Sequence, residues 1–564
     1  MIFARKVPKA GIRAYLATIP ASMRHDMRPI ERTPSATESS FMSLPPVHLP
    51  PMLRPRRRGL ASVNAEVRDG IVPATGSIAQ TQDEGPEASG PNYRIIALII
   101  ACALLMENLD ATVLATALPT MARDFGVRAP AMSIALTSYL LALAIFIPAS
   151  GSMADKFGSR TVFQAAIALF MGGSLVSAQA PTLEWIVAAR FVQGIGGAMM
   201  IPVGRLVLLR SVAKKDMVSA MSWLIMPALI GPILGPPLGG YIVTYLDWRW
   251  IFYVNLPVGL LGFVLVGRFI ANFRETHPHP FDPIGFVLSG VSLGCLLFGC
   301  EMTSRAGSGM LAVALIVVGA AFGALYVRHA RRRTDPIIDL ALLRDDNFRL
   351  SMIAGSLTRI TQGSLPFLLP LMMQLGFGLS AAQSGTITVG PAIGSLLMKG
   401  VAPRLLRRIG FRTALIWAGL LGCGGYAIVG LFRPDWPLTA IVAVLTVCGF
   451  VFSLQFTAYN AIAYDGIDKR HMSAATSFYS TVQQLMLSLG ICIAASALHL
   501  SMLVHHVVRP RMVDFTAAFW IVTAISVLAT IWNLRFERDA GAEISGRAPA
   551  ASAERRTEEA SESV

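Results

Sequence analysis

Long apolar stretches, separated by short polar links, recur along this chain from about residue 93 to residue 536. Each stretch spans about 20 residues, which is the length that an α-helix needs to cross the hydrocarbon core of a bilayer. Fourteen stretches are present, with approximate centres at Leu104, Leu143, Leu169, Val192, Ala228, Gly262, Leu293, Val317, Gly363, Gly390, Leu421, Gly449, Leu487 and Ser526. The pattern predicts an all-α integral membrane protein with fourteen transmembrane helices.

The polar links alternate in charge along the predicted helices. Links such as 210–215, 328–333 and 404–412 are basic and fall on every second connection, whereas opposite links such as 180–184 are nearly neutral. Basic links remain on the cytoplasmic side of a membrane. We therefore expect both termini in the cytoplasm.

A short motif occurs once in each half of the chain. Residues 155–160 follow the second apolar stretch and residues 407–412 follow the tenth, and both combine basic residues, an apolar residue, glycine and arginine. Duplicated helical halves, with a substrate site between them, are common in transporters. We therefore predict six-helix bundles at 93–273 and 346–536, and a central linker, 274–345, that contains two inserted transmembrane helices.

The two ends of the chain differ in composition from its middle. Residues 1–92 are rich in Pro, Ser and Arg and lack apolar periodicity, and residues 537–564 are polar. Such segments cannot bury enough apolar surface to fold by themselves. We expect a disordered basic N-terminal extension and a disordered tail, both cytoplasmic.

The overall charge agrees with a membrane protein. Of the 564 residues, 54% are hydrophobic and 14% are charged, and the mean hydropathy is +0.57. A soluble protein is less apolar and more charged. The net charge is +15, but the basic residues alternate with the predicted topology and form no single patch, so the basic surface suits anionic lipid and no nucleic-acid partner is expected.

The sequence gives no support for cofactor or enzyme chemistry. The six cysteines lie in apolar runs without a CxxC pair, and no histidine pairs with a carboxylate at HExxH spacing. Metal sites are recognised by such spacings. We expect no metal and no other cofactor, and the lack of a nucleophile, base or metal grouping argues against an enzyme.

Two carboxylates interrupt the first apolar stretch. Glu107 and Asp110 are three residues apart, which places them on one face of a helix. Ionisable groups within a span are costly and usually functional. The alternative is that Glu107 snorkels from a helix end and that Asp110 is simply hydrogen-bonded.

Five short motifs follow one another in the first half of the chain. They are 109–113 with 117–119, then 151–160, 190–197, 231–240, and 248–252 with Asn255 and Pro257. In this order they make residues 93–536 resemble the drug:proton antiporters of the major facilitator superfamily, in the fourteen-span branch of the EmrB/QacA type. The resemblance implies the major facilitator fold, in which two six-helix bundles give alternating access to a central site. It also implies a location in the bacterial inner membrane.

The resemblance also implies a proton-coupling site. Asp110 belongs to the first motif and is implied as the proton carrier, with Glu107 sharing its proton or influencing its ionisation. Arg190 begins the fourth-helix motif, which this family links to proton transfer. A guanidinium near Asp110 would favour the ionised carboxylate, although Arg190 could instead snorkel to the interface.

The 151–160 motif predicts a contact that holds one conformation. Asp155 can pair with a basic residue or cap a helix, and the resemblance implies that Asp155 and Arg160 form a conformational latch. Ser159 departs from the basic residue that the family usually has there. An ordinary positive loop is the alternative.

The fifth apolar stretch carries a ridge of small residues, Gly231, Gly235 and Gly239, spaced four apart. Small residues at this spacing let helices approach closely in lipid, and prolines bend a helix. The resemblance implies that this segment distinguishes exporters from importers. Its candidate residues are Gly231, Pro232, Gly235, Pro236, Gly239 and Gly240.

Polar side chains in other spans are candidates for a substrate cavity. They are Gln193, Arg359, Gln362 and Gln455. Interhelical hydrogen bonding explains the glutamines better, whereas full charges such as Arg359 and Lys399 normally face a cavity. Such cations would suit an anionic or zwitterionic substrate.

The function predicted from these features is proton-coupled export of amphipathic small molecules by alternating access. An importer of a metabolite on the same fold is the alternative, and the 231–240 motif argues against it. A channel or a non-transporting scaffold is a further alternative, for which a simpler polar stripe on several helices is expected. The expected partners are the substrate, protons and lipid, and a periplasmic adaptor protein is left open.

Overall fold

A computed structural model of the chain describes residues 93–212, 216–275, 281–303, 308–468 and 471–541. The predicted N-terminal extension lies outside these residues, and so does the predicted tail beyond Gly541. Within the start of that tail, the backbone N–H of Gly541 donates to Asp465 Oδ2 at 2.8 Å.

Every regular element in the described ranges is a helix. The helices of 15 residues or more are α1 (Tyr93–Asp124), α2 (Ser133–Phe157), α3 (Ser159–Ala178), α4 (Leu183–Ser211), α5 (Met217–Tyr245), α6 (Asn255–Phe269), α7 (Pro283–Met302), α8 (Gly309–Ala330), α9 (Asp346–Leu371), α10 (Gly390–Ile409), α11 (Phe411–Gly430), α12 (Leu438–Ile462), α13 (Met472–Val504) and α14 (Met512–Asn533).

Shorter helical segments join some of these helices. Trp250–Tyr253 precedes α6, and Ala381–Ile387 precedes α10. Turns of 3-10 helix lie at Ala129–Met132 and Leu340–Arg344, and a π-helical turn, Met372–Gly376, follows α9.

Eleven helical stretches in the described part of the chain are long and apolar enough to cross a membrane. The long helices outside that group are α5, α9 and α10, and α10 carries Lys399 and a basic last turn. The predicted all-α membrane architecture is confirmed, whereas the number of fourteen spans stays a prediction.

The first six helices and the last six repeat one packing arrangement. In the first group α1 packs on α5, α2 on α4 and α3 on α6. In the second group α9 packs on α13, α10 on α12 and α11 on α14. The two groups, called here the first and second bundles, meet where α2 contacts α13 and where α5 contacts Ala381–Ile387.

The repeated motif adopts the same turn in both bundles. Gly158 lies between α2 and α3 with φ 94°, and Gly410 lies between α10 and α11 with φ 78°. A residue with a side chain is strained in this left-handed region, whereas glycine is not. Glycine therefore lets one residue reverse the chain between two long helices at both positions.

The helices α7 and α8 pack on each other, and α7 also contacts α2 and α13. Asp282 caps α7 by accepting a hydrogen bond from the backbone N–H of Gly285 at 3.0 Å, and His329 Nε2 at the end of α8 lies 2.9 Å from its carboxylate. Burial alone would raise the pKa of Asp282, but these two contacts and the charge of Arg333 hold it below its ordinary value.

Candidate functional site

A polar cluster lies inside the first bundle, with Asp110 of α1 at its centre. The buried carboxylate accepts hydrogen bonds from Arg190 Nη1, from Gln193 Nε2 at 2.9 Å and from Asn255 Nδ2 at 2.8 Å. Ser174 Oγ accepts further hydrogen bonds from the same two amides, at 2.8 and 3.2 Å. Residues of α1, α3, α4 and α6 therefore converge on one carboxylate.

Arg190 has no exposed surface, so in this conformation its side chain does not reach an interface. Its Nη1 also donates to Gln193 Oε1 at 2.7 Å, and its Nε donates to the carbonyl of Ala135 on α2 at 3.3 Å. The guanidinium lies 4.4 Å from the ring centroid of Tyr139. Such additional contacts are what make a buried ion pair tolerable, because desolvation of both charges is costly.

Glu107 lies one helical turn before Asp110 and is 5% exposed. Its Oε2 atom has no hydrogen-bond partner among the described residues. A buried carboxylate oxygen without a donor favours the neutral acid, since an unsolvated charge is costly. The two carboxylates therefore occupy different environments: Asp110 faces a cation and two amides, whereas part of Glu107 lacks a polar partner.

The glycine ridge of α5 packs on α1. A Cβ added to Gly231 would lie 2.8 Å from Asn108 Cβ, which is closer than real Cβ atoms approach. One turn later, a Cβ added to Gly235 would lie 2.8 Å from Thr112 Cβ, and Gly239 approaches the next turn of α1 as closely. Glycine therefore sets the distance between these two helices.

Another face of α5 contacts the second bundle. A Cβ added to Gly240 would lie 2.9 Å from the carbonyl carbon of Ala381. A Cβ added to Gly385 would lie 2.9 Å from the carbonyl carbon of Pro236. The predicted fifth-helix motif thus lies between α1 on one side and the segment that leads into α10 on the other.

A cavity of about 370 Å³ lies between the bundles. The first bundle contributes residues of α1 and α5, and the second contributes residues of α9, α10 and α12. They include Thr112, Thr116, Pro232, Pro236, Gln362, Lys399 and Phe456. The volume falls in the range of small-molecule sites, roughly 300–1,000 Å³.

The four side chains predicted for a substrate cavity occupy different places. Gln362 lines the cavity, and Arg359 lies behind it and donates from Nη1 to Gln362 Oε1 at 3.4 Å. Gln193 belongs to the Asp110 cluster instead. Gln455 is buried within the second bundle, near Gly422 of α11.

The predicted latch residues lie at one end of the first bundle. Asp155 Oδ1 accepts a hydrogen bond from Arg210 Nη2 at 3.1 Å, and the same nitrogen lies 3.2 Å from Glu275 Oε2. The backbone N–H of Arg160 donates to Asn272 Oδ1 at 3.1 Å, and its side chain forms no ion pair with a described residue. The cation that pairs with Asp155 here is therefore Arg210.

Sequence reasoning missed a buried carboxylate, Glu301, in the last turn of α7. It accepts hydrogen bonds from Ser133 Oγ of α2 and from Cys492 Sγ of α13 at 3.0 Å, and Thr137 Oγ1 lies at 3.5 Å. Glu301 comes just before a polar link, so in the sequence it looks like a loop residue. Glu301 therefore connects α7 to α2 of the first bundle and to α13 of the second.

The described residues include no arrangement for a metal ion. Within those ranges no three or more His, Cys, Asp or Glu side chains are grouped suitably. All six cysteines are free thiols. The chemistry that the cluster offers is therefore that of protons, amides and one guanidinium.

Comparison with known proteins gives matches over most of the chain. The sequence model of the Major Facilitator Superfamily matches residues 100–491 and 352–560. "Probable transport protein HsrA" of Haemophilus influenzae is 35% identical and covers 78% of this chain and 95% of its own length. "Putative multidrug resistance protein MdtD" of Serratia proteamaculans is 36% identical and covers 78% of this chain and 92% of its own length.

Solved structures match the helix arrangement. A mutant of the nucleoside transporter NupG gives a TM-score of 0.56 at 14% identity, covering 78% of this chain and 99% of its own. The D-xylose-proton symporter gives 0.55 at 15% identity, covering 78% of this chain and 97% of its own. Identities this low show the fold alone, but the family match and the relatives above 30% identity decide the assignment. The chain belongs to the major facilitator superfamily.

Proposed function

We propose that this protein exports amphipathic small molecules across the bacterial inner membrane in exchange for protons. The observation that carries the proposal lies on α1. Asp110 forms a buried ion pair with Arg190 inside the first bundle, and Thr112 of the same helix lines the cavity. A proton that binds at Asp110 could therefore alter the surface that α1 presents to a substrate.

The names of the relatives support export. The MdtD relatives are named for multidrug resistance and the HsrA relative for transport. The drug-exporter motif on α5 supports the same direction. We expect no enzymatic activity, and the substrate and protons are the proposed partners.

Coupling would act through the charge on Asp110. Protonation would leave Arg190 as a buried cation without its counter-charge, which is strongly unfavourable. The helices that converge on this cluster would then adopt a different packing, in which Arg190 finds other partners or water. Alternating access results if the two packings open the cavity to opposite sides of the membrane.

The glycine ridge is the proposed path from the proton site to the second bundle. Thr112 contacts Gly235 of α5, and α5 in turn contacts Ala381 through Gly240. Closely packed helices do not deform continuously. A movement of α1 would therefore shift α5 from one packing arrangement to a second one. We assign the fifth-helix residues a role in opening and sealing the cavity.

Glu107 is the proposed second proton site. While Asp110 is paired with Arg190, Glu107 has an oxygen without a partner and suits the protonated acid. When Asp110 is protonated instead, the nearby Glu107 can ionise with less repulsion. The pair would then exchange protons as a coupled unit.

The Asp155 and Arg210 pair is proposed as the cytoplasmic latch, with Arg160 in the same loop. It connects the end of α2 with the end of α4, and Glu275 adds a contact from the segment after α6. These groups are partly exposed, so the pair would break at little cost when the bundle changes shape. Both chain termini are proposed to lie on this side.

A proton-coupled importer is the competing function. The symporter among the similar structures has the same fold, so the fold does not set the direction of transport. Transport in everted membrane vesicles tests the direction. Substrate added to energised vesicles should be accumulated and should release protons from the lumen.

The matched variants are Asp110→Asn, Glu107→Gln and, as the control, Asp346→Asn, which removes an exposed carboxylate far from the cluster. We expect the first two to lose substrate-induced proton release and the control to keep it. Proton release that survives in both cluster variants would exclude the proposed coupling site. Failure of every amphipathic compound in a broad panel to show gradient-driven accumulation would exclude export.

A further inference from the structure

The cavity wall formed by the second bundle carries a positive charge that no carboxylate in the described part of the chain neutralises. Lys399 of α10 lines the cavity, and no described carboxylate forms an ion pair with it. The described residues that line the cavity include no Asp or Glu. Lys399 is exposed on the cavity surface, so a ligand anion could pair with its ammonium group there without competition from a carboxylate of the lining.

Behind the same wall lies a second cation. Arg359 of α9 donates to Gln483 Oε1 at 2.9 Å and lies 4.1 Å from the ring centroid of Phe456, which lines the cavity. Its described partners are amides and an aromatic ring, and none is a carboxylate. The positive charge of Arg359 therefore adds to that of Lys399.

The contact between Arg359 and Gln362 determines the orientation of the Gln362 side-chain amide. A guanidinium only donates hydrogen bonds, so the amide oxygen of Gln362 must be the atom that faces Arg359. One N–H of the amide can then reach the carbonyl of Phe452, at 3.4 Å. The other N–H remains available as a donor in the cavity.

We propose that this wall is a subsite for the anionic head of the substrate and that the transported compounds are amphipathic anions, such as a carboxylate or sulfonate on an apolar body. Lys399 and the Gln362 amide would bind the head, with Arg359 orienting the amide. The apolar body would lie on Leu365, Leu369 and Phe452, which also line the cavity. The inference rests on the proposed function in taking this cavity as the transport site.

An anionic lipid headgroup has the same chemistry as the proposed ligand. Lys399 lies ten residues before Ile409, the last residue of α10, which is roughly 15 Å along a helix. Arg404, Arg407 and Arg408 lie nearer that end and serve a lipid headgroup better. Position therefore favours a ligand in the cavity over a headgroup.

Equilibrium binding to the purified full-length protein tests the charge preference. Dansylglycine, dansylglycinamide and dansylcholine share one fluorophore and carry negative, neutral and positive heads. In nanodiscs of neutral phosphatidylcholine we expect dansylglycine to bind at least about tenfold more tightly than the other two, which is the size of one charge-assisted hydrogen bond. Anisotropy titration gives the dissociation constants without a proton gradient.

The variants separate charge from structure. Lys399→Gln should remove the preference, Lys399→Arg should keep it, and Lys399→Glu should reverse it in favour of dansylcholine. Arg404→Gln, on the same helix and outside the cavity, is the matched control and should behave as the wild type. Arg359→Lys should weaken dansylglycine more than dansylglycinamide.

Three results would overturn the inference. The first is no preference for dansylglycine in the wild type, and the second is a preference that survives Lys399→Gln. The third is a Lys399→Gln protein whose only change is that less phosphatidylglycerol remains bound to it after purification, which would assign Lys399 to a lipid headgroup. Vesicle transport distinguishes failure of the proposed subsite from failure of the proposed export function. Charge-selective binding without transport would contradict the proposed function alone, and transport of cations unaffected by Lys399→Gln would contradict the subsite alone.

Discussion

Asp110 and Thr112 lie two residues apart on α1, and their side chains face different regions of the protein. The carboxylate of Asp110 binds Arg190 inside the first bundle, and Thr112 lines the cavity between the bundles. Two residues correspond to about 200° around a helix, so the two side chains lie on nearly opposite faces. A rotation or shift of α1 would therefore affect the proton site and the cavity together.

Replacing Asp110 by asparagine should abolish coupling and reduce stability. Asparagine keeps the size of the side chain but leaves Arg190 without its counter-charge, and breaking a buried pair in this way costs about 3–5 kcal/mol. We expect a lower unfolding temperature in detergent, measured with a thiol-reactive dye that reports exposure of Cys448 and Cys492.

The double variant Asp110→Asn with Arg190→Gln separates the two effects. Removing both charges should recover part of the lost stability, since no unpaired charge remains, while proton release stays absent. Equal stability losses in the single and double variants would show that the ion pair does not govern the packing of the cluster.

Gly235→Ala should block transport by separating α1 from α5. The new Cβ would overlap Thr112 Oγ1 and lie 2.8 Å from Thr112 Cβ, so one helix must move. Overpacking of this kind typically costs about 1–3 kcal/mol. Transport in vesicles and the unfolding temperature should both fall. Thr112→Ala in the same chain removes Oγ1 and should restore part of each, while the contact with Cβ remains.

Gly294→Ala on α7 is the matched control for this substitution. A Cβ at Gly294 meets nothing within 4 Å, and alanine is the better helix former by up to about 1 kcal/mol. The control should therefore be neutral or stabilising. A Gly235→Ala protein that transports normally would contradict the role given to the glycine ridge.

The sequence was sufficient for the fold and for Asp110 and Arg190 of the cluster, but not for the rest of the cluster or for the direction of each side chain. Apolar stretches and ordered motifs predicted the helical membrane fold, which is confirmed, and pointed to Asp110 with Arg190. Gln362 and Gln455 look alike in sequence, yet one lines the cavity and the other is buried in a bundle. That difference depends on the rotation of each helix, which tertiary packing sets.

The sequence likewise did not predict which residues far apart in the chain would contact each other. The partner of Asp155 is Arg210, which lies 55 positions away and is no more conspicuous than other basic loop residues. Glu301 contacts Cys492 from 191 positions away. A pattern of apolar and polar residues gives the faces of each helix but does not show which faces meet.

Glu301→Ala should detach the end of α7 from the contact between the bundles. It removes an acceptor shared by Ser133 and Cys492, and unsatisfied buried donors cost about 1–3 kcal/mol. The unfolding temperature should fall, and Glu301→Gln should lose less because an amide oxygen still accepts. Val287→Ala, on an exposed face of α7, is the control, and an equal effect there would contradict a specific role for Glu301.

The pH dependence of stability should report on Asp282, which caps α7 and contacts His329 at the end of α8. Its pKa is lowered in the folded protein, so its ionised form stabilises the fold above the ordinary aspartate pKa of about 4. That contribution is lost as the pH falls through the lowered pKa, because the folded state must then also bind the proton. The wild type should thus exceed Asp282→Asn in unfolding temperature at pH 7, and the two should converge in acid.

The choice of substitution identifies the cause of this effect. Asparagine still caps a helix, so Asp282→Asn removes the charge and keeps the cap, whereas Asp282→Ala removes both and should cost about 1 kcal/mol more. The additional loss in Asp282→Ala should not vary with pH, since a cap does not titrate. A stability gap between the wild type and Asp282→Asn that stays constant from pH 7 to acid would mean that the charge of Asp282 does not hold α7 and α8 together.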